Sequence, residues 1–312
     1  MSKFVNLEQI FSALSRGSVI ETSEIPGDLL QELNFYGIRV LEKTVSLPDE
    51  VELLDKCFIE DSISSLHWLE RFEVESFVES TNTTLVERSL RQSVDGHLLI
   101  SEVQFGGRGR RGRSWMSPYA RNLAISLGMK LNRSAGEIGS FSLVVGVAVV
   151  DVLREVGVLE LSLKWPNDVL LSRRKVCGIL IELVPSDASF EVVVGFGVNI
   201  GSQALIVGAV DQEVADVYEQ APNMSRNELA ALLIKKIVQY GREFSKSGFF
   251  PFRKRWEKLN EFQGREVRIS MPREIILGKC IGVNEVGCLL VDEGSRVREI
   301  YAGEVSLRGA EK

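Results

Sequence analysis

Histidine and cysteine are scarce in this sequence. Its 312 residues include two histidines and four cysteines, and the cysteines are scattered, with no C-x-x-C pair. A histidine-rich metal site and a disulfide framework are therefore not expected, and the thiols are expected to be reduced. Long apolar runs are also missing. The longest, Leu143–Val150, is interrupted by Gly146 and is too short to span a bilayer.

The first residues, Met1–Asn6, lack the apolar stretch of a secretory signal. Together with the reduced thiols, this predicts a cytoplasmic protein with no membrane partner. Hydrophobic residues make up 45% of the chain and charged residues 26%, which is typical of soluble globular proteins. The length predicts two or three domains.

Negative charge is concentrated in the first part of the chain. Residues 1–60 carry five basic and eleven acidic side chains, so their net charge of −6 equals that of the whole chain. A surface that meets nucleic-acid phosphates is normally basic. This imbalance argues against a DNA-binding role for the N-terminal part.

Three regions differ in their hydrophobic pattern. Residues 1–62 contain two short amphipathic helices and a strand-like segment, residues 63–262 alternate strands and helices, and residues 263–312 have short apolar runs separated by turns. We therefore predict an N-terminal unit, an α+β domain with a central mixed sheet backed by helices, and a small C-terminal β-barrel-like domain. The individual predictions are helices over 7–14 and 27–35, a helix that follows residues 80–82 and runs through Leu90, and helices over 141–156 and from 225 onward. The predicted strands are 38–47, 98–103, 124–131, 161–165, 176–183 and 190–198.

One segment combines glycine and arginine at an unusual density. Residues 107–113 (GRGRRGR) contain four arginines and three glycines, and they follow the predicted strand over 98–103. Glycines allow several backbone N–H groups to converge, and arginines donate paired hydrogen bonds to phosphate or carboxylate. We interpret this glycine–arginine loop as an anion-binding loop. The alternative is a solvated basic run or a nucleic-acid-binding patch.

Two further segments have both a functional and a structural interpretation. Lys164 ends a predicted strand, where its charge would stabilise a developing negative oxygen or would simply face solvent beside a tight turn. Gly195 and Gly197 leave one face of a strand bare, either for a flat ligand or because the sheet is crowded there.

Taken together, these segments resemble the bacterial biotin–protein ligases in order and spacing. The shared motifs are STN at 80–82, Gln104 before the glycine–arginine loop, KWPND at 164–168, GILIE at 178–182 and GxGxN at 195–199. Five motifs in the same order are much more specific than any one of them. The resemblance extends from Ser76 to the end of the chain.

The resemblance implies an ATP-dependent, AMP-forming ligase. Biotin and ATP would condense to biotinyl-5′-AMP and pyrophosphate, and a lysine of the biotin carboxyl carrier protein of acetyl-CoA carboxylase would then displace AMP. Mg²⁺ is implied with the ATP phosphates, with Asp168 as a candidate ligand. The implied fold is a biotin/lipoate ligase-like α+β domain followed by an SH3-like β-barrel. The oligomeric state stays open, with a homodimer as one alternative.

The same resemblance assigns roles to individual residues. Lys164, Arg110 and Arg108 are the catalytic residues. Biotin binding is assigned to Ser80, Thr81, Asn82, Gln104, Arg108, Gly109, Arg110, Lys164, Gly178 and Gly197. ATP and adenylate binding is assigned to Arg110, Arg111, Trp115, Lys164, Asn167 and Asn199. A helix cap is the alternative role for one residue of the STN motif, and core packing is the alternative for Trp115.

The N-terminal part departs from the family pattern. Many bacterial members carry a winged helix there that represses biotin genes, and the flanks of residues 1–62 resemble it. Between Gly17 and Pro48, however, the chain is roughly ten residues too short for both helices of a helix-turn-helix. We predict a degenerate winged-helix-like unit that does not bind DNA. The alternatives are a ligase that is also a transcriptional repressor and a lipoate or octanoate ligase on the same central fold.

Overall fold

The computed structural model describes residues 6–48, 51–184, 190–202, 205, 212–271, 274–301 and 306–309. Its α-helices are, in chain order, α1 (Leu7–Leu14), α2 (Gly27–Phe35), α3 (Lys56–Ile63), α4 (Thr81–Ser89), α5 (Ala135–Ile138), α6 (Phe141–Glu155), α7 (Arg226–Ser247) and α8 (Phe250–Leu259). Its strands are β1 (Ile20–Glu21), β2 (Arg39–Val40), β3 (Thr44–Ser46), β4 (Arg71–Glu75), β5 (His97–Ser101), β6 (Asn122–Leu131), β7 (Leu161–Lys164), β8 (Asp168–Leu171), β9 (Arg174–Val184), β10 (Phe190–Asn199), β11 (Glu266–Ser270), β12 (Ile275–Val283), β13 (Leu289–Asp292), β14 (Val297–Ile300) and β15 (Ser306–Gly309).

A seven-stranded mixed sheet lies at the centre of the molecule. Its strand order is β4-β5-β6-β10-β9-β8-β7, with β4 and β5 parallel and the other neighbouring pairs antiparallel. Helices α6 and α7 pack against each other and against this sheet, and α8 packs on α6. This arrangement confirms the predicted α+β fold with a mixed sheet backed by helices.

Strand β10 illustrates how the two faces of the sheet differ. Every second residue from Val192 to Val198 is buried in the main hydrophobic core, whereas Val193 belongs to a small cluster with Leu85 of α4. Side chains alternate along a strand, so Gly195 and Gly197 lie on the same face as Val193. The face that carries α4 therefore has no side chains at these two positions.

Helix α6 is apolar on all sides, as its sequence predicted. The stretch Ala135–Glu155 is long and apolar enough to cross a membrane by length and composition, but 78% of its most apolar window is buried inside the protein. In this fold the stretch supplies the central helix of the main core.

The last five strands form a second sheet, antiparallel, in the order β14-β13-β12-β11-β15. This confirms the expected small C-terminal β unit. Its buried residues, among them Val267 and Val291, join the main core. The indole N–H of Trp165 donates a hydrogen bond to the carbonyl of Gly287 at 3.1 Å, so the C-terminal sheet abuts the KWPND turn.

Residues 6–48 fold as a unit of two helices and the small sheet β1-β3-β2, here called the N-terminal unit. Between β1 and β2 the described chain has one α-helix, α2, preceded by a 3₁₀ turn at Thr22–Glu24. A degenerate winged-helix-like unit stays a prediction for this region. The predicted boundary between residues 62 and 63 falls inside α3, whose Ile59 and Ile63 are buried in the main core.

Six elements were not among the predictions: α3, α5, α8, β1, β4 and β8. Strand β4 has the sequence RFEVE, whose charged residues suit an edge strand but give no apolar run. Strand β8 follows β7 after a turn of three residues, so the two strands are too close together to separate by hydrophobic pattern. The predicted strand over 98–103 ends at Ser101, and the one over 161–165 ends at Lys164.

A buried ion pair joins the start of α7 to the sheet. Arg226 donates to the Glu102 carboxylate and to the Asn122 carbonyl, both at 2.9 Å, and the Arg226 and Glu102 side chains are 1% and 5% exposed. Arg226 also donates to the carbonyl of Glu52, in the segment that follows the N-terminal unit. One arginine therefore holds together the linker, the sheet and the longest helix.

The substitution Arg226→Met should destabilise the protein by about 3–5 kcal/mol, because it leaves the Glu102 carboxylate buried without its cation. The matched control is Lys236→Met on the same helix, whose ion pair with Glu155 is at the surface, with 22% and 51% of the side chains exposed. That change should cost at most about 1 kcal/mol. Urea unfolding of both variants provides the measurement, and equal losses would contradict the assigned role of Arg226.

Candidate active site

A cavity of about 760 Å³ opens on the sheet face that carries α4. It is lined by the residues predicted from the sequence: Ser80, Thr81, Asn82, Gln104, Arg108, Gly109, Arg110, Arg111, Trp115, Lys164, Asn167, Asp168, Gly178, Gly197 and Asn199. The fold thus brings five separate motifs into one place.

The STN motif lies at the start of α4, where it forms a hydrogen-bonded group with two strands. Ser80 is the N-cap, accepting the Thr83 N–H at 3.4 Å, as the structural alternative predicted. The Gln104 side-chain oxygen accepts the N–H of Thr81 at 2.8 Å. The Ser126 hydroxyl lies 2.7 Å from the Thr81 hydroxyl. These bonds fix the Thr81 and Gln104 side chains at one end of the cavity.

The side chain of Asn82 forms hydrogen bonds with other residues of the protein. Its amide donates to the Glu182 carboxylate at 2.8 Å, and its oxygen accepts from Ser126 at 2.6 Å. A Cβ added at Gly195 would lie 2.0 Å from this oxygen, so the close approach requires glycine there. Asn82 is thus fixed between α4 and the sheet.

Gly178 and Gly197 are cross-strand partners on β9 and β10, and together they form a flat floor. The indole of Trp115 lies on this floor: an added Cβ would be 2.9 Å from the ring at Gly178 and 2.4 Å at Gly197. The sequence left two interpretations open for glycines on this strand: the bare face receives a flat ligand, or the sheet is crowded there. In this structure the flat group on them is the Trp115 ring.

The glycine–arginine loop is closed by its own backbone rather than extended as a tail. Gly109 N–H donates to the Arg113 carbonyl and Trp115 N–H to the Gly107 carbonyl, both at 2.7 Å. At its tip Arg111 has a φ of +60°, in the left-handed region. Arg110 is directed towards the KWPND turn and donates to the Asn167 side chain at 3.3 Å.

Arg110 is the most buried arginine of this loop. Burial, reinforced by the neighbouring Arg111, lowers the pKa of its guanidinium, while Asp168 opposes the shift. The guanidinium stays charged, because an arginine pKa begins far above neutrality. Arg108, more exposed, lies 3.6 Å from Glu182.

Lys175 is a cavity residue that was not predicted from the sequence. Its ammonium is 2.8 Å from the Asp168 carboxylate and 5.5 Å from the centroid of the Trp115 ring. The sequence does show a run of three basic residues at 173–175. Which of these side chains enters the cavity, however, is decided by the register of β8 against β9.

The cavity is strongly basic. Among the described residues that line it, six are basic and one is acidic: Arg108, Arg110, Arg111, Arg113, Lys164, Lys175 and Asp168. Such a lining focuses positive potential and favours an anionic ligand.

Three buried polar atoms of the cavity lining make no hydrogen bond within the described part of the protein. They are Arg110 Nη2, Trp115 Nε1 and Asn199 Oδ1, two donors and one acceptor. Buried polar groups are nearly always satisfied in folded proteins, so an unsatisfied set in a cavity suggests ligand contacts.

The described side chains of the cavity offer few ligands for a metal ion. Within the described ranges no three histidine, cysteine or acidic residues cluster as a metal site would require. Asp168 is the one carboxylate facing the cavity there, and it is paired with Lys175. This donor set suits a Mg²⁺ ion held mainly by phosphate oxygens and water, with at most one protein carboxylate.

Replacing Gly197 by alanine should displace the Trp115 indole, since the new methyl would lie within 2.4–2.7 Å of three of its ring atoms. We expect altered tryptophan emission and near-ultraviolet circular dichroism, with a stability loss of about 1–3 kcal/mol. Gly136→Ala, in α5 with nothing within 4 Å of the added Cβ, is the control. If both variants keep the wild-type spectra, the indole does not rest on the glycine floor.

Comparison with known proteins gives the family. The Biotin/lipoate A/B protein ligase family model matches residues 74–199, and the Biotin protein ligase C terminal domain model matches residues 262–308. The chain is 34% identical over 288 residues to the bifunctional ligase/repressor BirA of Escherichia coli, covering 91% of this chain and 88% of that protein. It is 32% identical over 236 residues to the biotin–[acetyl-CoA-carboxylase] ligase of Mycobacterium tuberculosis, covering 72% and 85%.

A solved structure agrees with these sequence matches. The biotin protein ligase from Aquifex aeolicus in complex with biotin and ATP has a TM-score of 0.67 and 29% identity, and the match covers 78% of this chain and 100% of that one. The domain models, the sequence relatives and the fold agree on one assignment: the chain belongs to the bacterial biotin protein ligases.

Proposed function

We propose that this protein activates biotin with ATP and then attaches it to a lysine of a carrier protein. A biotin carboxylate oxygen bonds to the α-phosphorus of ATP, and pyrophosphate leaves. A lysine amine then attacks the acyl carbon, forming an amide, releasing AMP and losing a proton. The observation that carries this proposal is the cavity lining of six basic residues and one acidic residue, because the first step brings two anions together.

The biotin rings are assigned to the end of the cavity at the start of α4. The ureido group of biotin has two N–H donors and one carbonyl acceptor. The hydroxyl and amide groups of Ser80, Thr81 and Gln104 supply both kinds of partner. Asn82 would act mainly by holding α4 against the sheet, since its amide is already bonded to Glu182. Gly109 would allow close approach of the ligand to the backbone. Gly178 and Gly197, also assigned to biotin, would act through the Trp115 indole that rests on them.

The charged groups are assigned to the carboxylate and the phosphates. Arg108 and Arg110 would hold the biotin carboxylate against the α-phosphate, and Lys164 would stabilise the oxygens as the bonds change. Arg111, Asn167 and Asn199 are assigned to the adenylate, whose adenine would stack on Trp115. The unsatisfied Arg110 Nη2 and Asn199 Oδ1 support these assignments, because a donor and an acceptor suit phosphate and ribose groups respectively.

Mg²⁺ would supply charge neutralisation at the ATP phosphates. Asp168 is the residue assigned to hold it, and its ion pair with Lys175 would then have to open. Lys175 lies in the same cavity and would be available to a phosphate oxygen.

The acceptor is proposed to be the biotin carboxyl carrier protein of acetyl-CoA carboxylase, in the cytoplasm. Incubating the protein with ATP, labelled biotin and an isolated carrier domain tests this directly. One biotin per carrier, lost when the carrier lysine is replaced by arginine, is the expected result. Efficient transfer of lipoate or octanoate with no transfer of biotin would favour the related ligase chemistry.

Lys164 provides the test of the charge assignment. Lys164→Gln should lower the rate of biotinyl-adenylate formation by ~10² or more, the usual scale for one preorganised electrostatic contact in a transition state. Pyrophosphate release in a single turnover is the measurement. The control is Lys130→Gln, an exposed lysine of β6 outside the cavity. Near-normal release by Lys164→Gln would remove this residue from the reaction.

A second function, repression of transcription, is favoured by one observation: the relative from Escherichia coli is named a ligase/repressor and matches 91% of this chain. The N-terminal unit argues against it, since it has one α-helix where a helix-turn-helix needs two, and its region is acidic. We expect a biotin-operator duplex to be bound no better than random DNA at moderate salt, with or without biotin and ATP. Selective retention of the operator at nanomolar protein would contradict this expectation.

A further inference from the structure

The hydrophobic core of the N-terminal unit is completed by residues of the ligase domain. Its buried cluster contains Phe11 and Leu33 from the unit itself, and Val103, Tyr119 and Ala120 from beyond it. Phe77 and Phe105 pack against the same cluster. The unit is therefore fixed to the ligase domain through its own core, rather than joined to it by the linker alone.

The contacted residues are the sequence neighbours of the proposed biotin-binding residues. Gln104 lies between Val103 and Phe105, and its side chain bonds to Thr81 inside the cavity. Its two neighbours pack on the N-terminal unit instead. Alternation of side chains along extended backbone explains this division, because adjacent residues point to opposite sides. The N-terminal unit thus packs against the opposite side of the segment 103–105, whose Gln104 side chain faces the cavity.

Tyr36, directly after α2, contacts the ligase domain through both its ring and its backbone. Its ring centroid is 5.1 Å from that of Phe105, in an edge-to-face arrangement. Its carbonyl accepts the Tyr119 N–H at 2.9 Å. Phe105 is followed two residues later by the glycine–arginine loop, so Tyr36 supports both Gln104 and the base of that loop.

Phe35, the last residue of α2, faces the cavity itself. Its side chain is among the cavity lining, although 53% of the residue is exposed. Its ring packs edge-to-face on Tyr36 at 5.3 Å. An exposed aromatic ring at the mouth of a basic cavity would gain burial when an apolar part of a ligand enters. Biotin has such a part in its fused rings and acyl chain.

We propose that the N-terminal unit serves the ligase site: Phe35 is a ligand-contacting residue for biotin, and Tyr36 is a positioning residue that holds Gln104 and the glycine–arginine loop. This inference rests on the proposed function, since it takes biotin as the ligand of the cavity. It gives the acidic N-terminal unit a role that does not involve DNA.

The test is biotin binding by the full-length chain, measured by titration calorimetry. Phe35→Ala should raise the biotin dissociation constant about fivefold to tenfold, which corresponds to the loss of roughly one aromatic contact. In the carrier-labelling assay, Tyr36→Leu should raise the KM for biotin by more than it lowers kcat. A substitution that only destabilised the fold would instead lower the fraction of active enzyme and leave the KM for biotin unchanged. The matched control is Leu41→Ala, an equally exposed apolar residue (55%) of the same unit outside the cavity lining.

The outcomes separate the two proposals. If the wild-type chain binds biotin and both Phe35→Ala and Tyr36→Leu bind it equally well, the role of the N-terminal unit is overturned and the ligase assignment stands. That role is also overturned if Leu41→Ala weakens binding as much as Phe35→Ala. Should the wild-type chain not bind biotin at all, the proposed function fails, and this inference fails with it.

Discussion

The site depends on positive charge that the protein itself neutralises only in part. Six basic residues and one acidic residue line the cavity in the described structure, and Arg110 carries a buried nitrogen without a partner. Mutual repulsion of these cations costs folding free energy, which the large core beneath the sheet must offset. A ligand that brings a carboxylate and phosphates relieves this repulsion. The excess of positive charge that opposes folding therefore favours the binding of anions and the reaction between two of them.

The central sheet determines the positions of these charged residues. On β10 the larger alternate residues enter the core and the glycines face the cavity, so the sheet is anchored on one side and open on the other. Asn82 and Trp115 occupy the space that the glycines leave. Lys164 and Asn167 lie at the turn between β7 and β8, opposite the glycine–arginine loop. Each charged group is thus held by a rigid element or by a loop closed on itself.

Much of the fold and the site could be predicted from the sequence, for physical reasons that differ between elements. Helices α1 and α2 have clear amphipathic patterns, and α6 is apolar throughout, so local sequence defines them. The five motifs pointed to one site because their order and spacing matched a family. Strand β4 was missed because an edge strand with charged residues has no apolar signal. Lys175 and Phe35 were missed because their place in the cavity depends on strand register and on contacts between distant segments.

We expect this cavity to join biotin to the α-phosphate of ATP before any carrier protein is involved. Exchange of labelled pyrophosphate into ATP, measured without a carrier, tests it most directly, since only reversible formation of an acyl-adenylate transfers the label. We predict exchange that requires biotin and stops when biotin is omitted or replaced by lipoate. Exchange that proceeds without biotin, or equally well with lipoate, would contradict the account.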